Sequence, residues 1–166
     1  MNKVMLSVVP MAIAAAMVLI AGATDPPELK EGLWSFNTQV IKSPGDKKSE
    51  DTYTLCRDHA YDQTVHAREK NLKGCTTVSE NLQDGKYTSE IHCTAGKFAI
   101  ESKGTTTFKG DTASHSETHV TYAPALGGVT DTTIVIDQKY VGSCPAGSQP
   151  GDRTNPDGTV INLGKD

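Results

Sequence analysis

His115, Glu117 and His119 alternate with Ser116 and Thr118, so in an extended chain all three leave one face of a strand. Imidazole and carboxylate are the ligand types that hold zinc and related ions. Successive members lie about 6.8 Å apart along a strand, so a His–Glu pair can share an ion, whereas the two histidines are about 13.6 Å apart. The competing role is a row of cross-strand surface pairs. His59, Asp62 and His66 form a second group: Asp62 and His66 are one turn apart on a helix, while His59 is nearly two turns from His66. There the competing role is a solvated helix face. Asp111 and Asp131 are the sort of carboxylates a hydrolytic dyad needs, yet nothing in their spacing brings them together. No G-x-S-x-G, H-E-x-x-H or glycine-rich phosphate loop occurs, and no cofactor is implied.

The four cysteines, Cys56, Cys75, Cys93 and Cys144, show neither C-x-x-C spacing nor a Cys/His doublet. Disulfides are therefore expected rather than a redox centre or zinc knot. Gln83-Asp84-Gly85 reads as a three-residue hairpin loop with glycine in the left-handed place, which sets Leu82 opposite Lys86. Counting outward, Cys75 faces Cys93 as a non-hydrogen-bonded pair with Cα atoms roughly 4.5 Å apart, close enough to bridge. Cys56–Cys144 is then the second bridge.

Period-two patterning defines the elements that carry these residues. Trp34, Phe36, Thr38 and Val40 share one face of a first strand, and Tyr53 and Leu55 one face of a second. A helix of about three turns follows Cys56, capped by Asp58 and ended near Asn71 and Gly74. After the stapled hairpin, Phe98, Ile100, Ser102, Thr106 and Phe108 alternate with Glu101 and Lys103. Gly104 interrupts this row and suggests a bend or bulge. Its partner strand, Thr112 to Tyr122, pairs so that Phe108 faces Thr112 and Ile100 faces Val120. On the other face Lys103 then meets Glu117, and Glu101 meets His119. Ile134, Ile136 and Tyr140 mark the last strand, and Pro/Gly-rich residues 145–166 read as a flexible tail.

The expected fold is mainly β: a curved, open, barrel-like antiparallel meander of about seven strands, with one helix after the second strand and two disulfides. Residues 24–144 form its single domain.

Lys3, the apolar run Val4 to Ile20 and the small-x-small Ala21-Gly22-Ala23 read as a cleaved secretory signal over residues 1–23. The run nearly matches the ~20 residues of a membrane anchor, but Pro10 and the cleavage site favour removal. The formal charge of −4 has both signs scattered, with no basic stripe for nucleic acid. At 36% apolar and 5% aromatic content the chain can build one lean core. An exported chain with a lean core is where disulfides supply stability, and a periplasmic or secreted location with no later membrane span is expected.

Glu31-Gly32-Leu33-Trp34, Cys56 at the helix start, Cys75, Cys93, the Thr run with Phe108 and Gly110-Asp111, and Gly142-Ser143-Cys144-Pro145 follow one another in a characteristic order. In this the chain resembles the bacterial exported family called domain of unknown function 3617. The family usually has proline at the place of Glu31 and a Thr-Pro-Glu helix start where this chain has Arg57-Asp58-His59, and the tail here is long. The resemblance implies export and a β-rich fold, and no activity.

The residues thus point to a non-catalytic envelope module. It is expected to bind a small apolar molecule or an envelope protein on a face lined by Trp34, Phe36, Phe98, Ile100, Phe108, Ile134, Ile136 and Tyr140. A metal-binding protein using His115, Glu117 and His119 is the alternative, and a small hydrolase the third reading.

Overall fold

The computed structural model describes residues 25–164. The expected signal segment, residues 1–23, lies outside them. Among the described residues nine antiparallel strands form one open sheet, and a single helix follows the second strand. The strands are β1 (Gly32–Ser43), β2 (Lys47–Arg57), β3 (Cys75–Gln83), β4 (Lys86–Ala95), β5 (Phe98–Lys109), β6 (Ala113–Leu126), β7 (Val129–Gly142), β8 (Asp152–Thr154) and β9 (Val160–Asn162), with helix α1 at His59–Lys70. Their spatial order is β3-β4-β5-β6-β7-β1-β2-β8-β9. The chain therefore meanders from β3 to β7 and then returns to β1, so β2 and β3, consecutive in sequence, lie six strand spacings apart.

That gap is what α1 crosses. The Asp58 carboxylate caps it by accepting from the Tyr61 N–H at 2.7 Å. Its first turn is tied to β2 by the Arg57–Asp62 pair at 2.8 Å. In its last turn Lys70 feels the charge of Glu80 on β3, and the Tyr87 phenol on β4 feels that of Glu69. A 12-residue helix is about 18 Å long, whereas six spacings of a flat sheet cover about 29 Å. Residues 71–74 and the curl of the sheet toward the helix together make up the difference.

The two hairpin registers show how local chemistry overrides a simple count. Gln83 pairs with Lys86, so the β3–β4 loop has two residues, not three. Asp84 and Gly85 both have positive φ, 51° and 74°, the signature of a type I′ turn. An irregularity between Thr77 and Ser79 then absorbs one residue at Val78, and Cys75 still faces Cys93. Both disulfides form as expected, with Cα separations of 3.9 Å for Cys75–Cys93 and 5.5 Å for Cys56–Cys144. Between β5 and β6, Phe108 faces Ser114 rather than Thr112, because the three-residue turn is Gly110-Asp111-Thr112, one residue later than Lys109-Gly110-Asp111, and closes at the Lys109–Ala113 pair. Ile100 consequently meets Tyr122, and Lys103 meets His119. The slip is two residues, so every side chain keeps its face.

Two further expectations change. Gly104 makes no bulge; its pairing is regular on both sides. A Cβ there would lie 3.1 Å from Ser89 Oγ and 3.3 Å from Thr118 Oγ1, so glycine makes room between two hydroxyls. The segment read as a flexible tail supplies β8 and β9, which extend the sheet beyond β2 and raise the strand number from seven to nine. Polar ties hold it: Gly151 N–H donates to the Cys56 carbonyl at 2.8 Å, Arg153 pairs with Asp51 at 2.7 Å, and Asn162 donates to Asp152 at 2.7 Å. The Arg153 guanidinium also lies 4.0 Å from the centre of the Tyr53 ring.

The core is small and sits at one end. Trp34 is wholly buried and Leu29, Leu55 and Cys56 nearly so. Residues 25–31 run beside α1 in the opposite direction: Asp25 pairs with Lys70, the Leu29 carbonyl lies 3.0 Å from His59 Nε2, and Glu31 accepts from the His59 N–H. No described helix is long and apolar enough to cross a membrane.

Candidate functional site

Register sorts the side chains into an inner face, toward α1, and an outer face. Trp34 stands beside Leu55 and Tyr140, Phe36 beside Tyr53, and Thr38 and Val40 beside Ile136 and Ile134. Ile136 meets Ser116, Thr106 meets Ser116, and Ile100 lies between Cys93 and Tyr122. The eight residues expected to line an apolar face, Trp34, Phe36, Phe98, Ile100, Phe108, Ile134, Ile136 and Tyr140, therefore all fall on the inner face. They do not share one environment. Trp34 is 0% exposed and belongs to the core, whereas the other seven are only half-buried. Hydroxyls intersperse them: Thr106 bonds Ser116 at 2.9 Å, while the buried Ser114 Oγ has no hydrogen-bond partner among the described residues.

Arg57 organises the closed end of this face. Its guanidinium binds Asp62, donates to Gln138 Oε1 at 2.9 Å and lies 5.1 Å from the Trp34 ring centre. Burial raises the Asp62 carboxyl above its ordinary range despite this partner. Trp34 Nε1 donates to the Lys30 carbonyl at 2.8 Å, and its ring meets Tyr140 edge-on at 6.1 Å. Toward β3 and β4, Tyr87 donates its hydroxyl to Glu80 at 2.8 Å; burial, and then that carboxylate, push the phenol strongly up. Neither the Arg57 cluster nor the Glu80–Tyr87 pair carries a sequence signal, because Gln138 and Trp34 reach Arg57, and Tyr87 reaches Glu80, only through strand pairing.

The histidine groups disperse. His115, Glu117 and His119 share the outer face, but His115 Nδ1 is 2.7 Å from Asp137 and His119 Nδ1 is 3.3 Å from the Thr133 hydroxyl. Glu117 faces Thr105 and Val135. Among the described residues the group whose ligand atoms converge within 4.8 Å is Glu90, His92 and Glu101, also on the outer face. There Lys103 already bridges both glutamates. On α1, Asp62 is taken by Arg57, His59 by Leu29 and Glu31, and His66 lies 3.5 Å from Asp25. Asp111 occupies the β5–β6 turn and Asp131 the far end of β7, about 27 Å away along β6. They cannot form a dyad.

A cavity of about 630 Å³ opens on the outer face across β6, β7, β1 and β2, overhung by Thr154 to Pro156. His115, Asp137, Lys109 and Lys139 line it together with short hydroxyl side chains. Most of its lining residues belong to the face opposite the apolar one, while Phe36, Tyr53, Ser114 and Gln138 of the intervening inner-face row also border it.

An open, curved antiparallel sheet, spanned by one helix and stapled twice, is thus the class of protein in hand. The chain belongs to the DUF3617 family of proteins of unknown function, whose model matches residues 29–144. Among solved structures it is similar to an S-type phycobiliprotein lyase from Guillardia theta, at 10% identity over 68% of this chain and 89% of that chain, with a TM-score of 0.37. No curated protein matches.

Proposed function

We propose that this protein is a non-catalytic, exported envelope module that holds a small apolar molecule against its inner face. The observation that carries this reading is the incomplete burial of that face: seven of the eight apolar side chains stay only partly buried in a sheet that two disulfides brace. A face that served folding alone gains most when covered, by roughly 25 cal/mol per Å² of apolar surface. Leaving Phe36, Phe98, Ile100, Phe108, Ile134, Ile136 and Tyr140 partly open fits a surface kept for a guest or an apolar patch of an envelope protein. The apolar leader over residues 1–23 and the paired cysteines suit an oxidising compartment outside the cytoplasm.

The test is competition between dodecanoate and the dye 8-anilinonaphthalene-1-sulfonate for the purified protein. Ile136→Glu sets a carboxylate in the middle of the inner face and should abolish dye binding and displacement. Val135→Glu, the next residue on the outer face, should leave both unchanged. Equal behaviour of the two variants would defeat the reading.

A further inference from the structure

Six residues form one continuous row across the outer face: Lys109, Ala113, Lys139, Ser35, Thr54 and Thr154, each the register partner of the next. Apart from Ala113 the row is polar, and it is sorted by charge. Two lysines flank the small Ala113, their Cα atoms about 10 Å apart across two strand spacings. Side chains of that length can bring both ammonium groups to one anion above Ala113. Among the described residues neither lysine pairs with a carboxylate, in a chain of formal charge −4. From Lys139 onward the row carries only hydroxyls, and all six residues line the 630 Å³ cavity. Asp137, the one carboxylate among the lining residues, is engaged by His115 at 2.7 Å.

From this layout we propose that the outer groove binds a small hydroxylated anion, such as an acidic sugar. Its carboxylate or phosphate lies between Lys109 and Lys139, and its hydroxyls lie along Ser35, Thr54 and Thr154. The volume falls within the range of small-molecule sites, about 300–1,000 Å³. An anion satisfies both unpaired ammonium groups at once, and charge-assisted bonds of this kind are the stronger ones. Short hydroxyls suit a polyol body because each both donates and accepts. This site is independent of the apolar face, since the six residues of the row point to the other side of the sheet.

Calorimetric titration with glucuronate, glucose and inorganic phosphate tests it. Glucuronate should bind saturably, at least about tenfold more tightly than glucose, and more weakly as sodium chloride rises from about 20 mM to about 300 mM. Lys109→Ala with Lys139→Ala should cost roughly tenfold or more, since both charged partners of the anion are lost. Ser35→Val should weaken glucuronate while leaving phosphate unchanged. The thermal midpoints of these surface variants confirm that each is folded. Equal affinity for glucose and glucuronate, an unchanged double-lysine variant, or no saturable heat with glucuronate would each overturn the proposal.

Discussion

Removing the Cys56–Cys144 bridge should be the more costly of the two possible disulfide deletions, although it staples fewer strands directly. It closes a loop of 88 residues, against 18 for Cys75–Cys93. In the chain-entropy treatment these separations correspond to about 4.5 and about 3.2 kcal/mol at 25 °C. The long bridge also holds the site where Leu33 sits between Cys56 and Gly142, fixing β2, β1 and the end of β7 together. Urea unfolding followed by fluorescence is direct, because Trp34 is the single tryptophan and is wholly buried. With a slope of roughly 2 kcal/mol per molar urea, Cys56→Ala with Cys144→Ala should lower the midpoint by about 2 M. Cys75→Ala with Cys93→Ala should lower it by about 1.5 M. A shift below about 0.5 M for the long bridge, or the reverse order, would refute the idea that each bridge acts by restricting the unfolded chain.

Two further outcomes follow from single positions. Gly32→Ala should cost roughly 3 kcal/mol or more in the same assay: its Cβ would stand 2.5 Å from the Gly142 carbonyl oxygen, at φ +136°. Gly45→Ala, at φ +93° in open space, should cost only about 1 kcal/mol of backbone strain; equal costs would contradict the close approach at Gly32. The Lys70 hydrogen bond, its charge and then His66 hold the Asp25 carboxyl below its ordinary range. Because the folded value is the lower one, the pair's contribution is present above about pH 4 and fades as pH falls through the folded midpoint. Carbon-detected titration should find Asp25 titrating low and Lys70→Ala restoring it; no change would remove the tie between α1 and the segment beside it.

The fold was legible in sequence wherever one face carries apolar side chains at period two. Trp34 to Val40, Phe98 to Phe108 and Ile134 to Tyr140 all lie on the face their alternation implies. The disulfide pairing was legible for a less direct reason: the loop after Gln83 is one residue shorter than counted, and the bulge at Val78 restores the difference. Turn placement at Gly110 moved a register by two residues, which parity cannot detect. β8 and β9 stayed hidden because Arg153–Asp51, Asn162–Asp152 and Gly151–Cys56 hold them by polar contacts, leaving no apolar period to read. The groove was equally hidden: Lys109 and Lys139 are 30 positions apart, and only the shared partner Ala113 brings them together.

The central claim is that the half-open inner face receives an apolar guest. Isoleucine methyl groups report on both faces: Ile100, Ile134 and Ile136 inside, Ile41 outside. With dodecanoate bound, intermolecular nuclear Overhauser contacts from its chain should reach Ile100, Ile134 and Ile136 and miss Ile41. Contacts to Ile41 alone, or none to the three inner methyl groups at saturating ligand, would contradict the account.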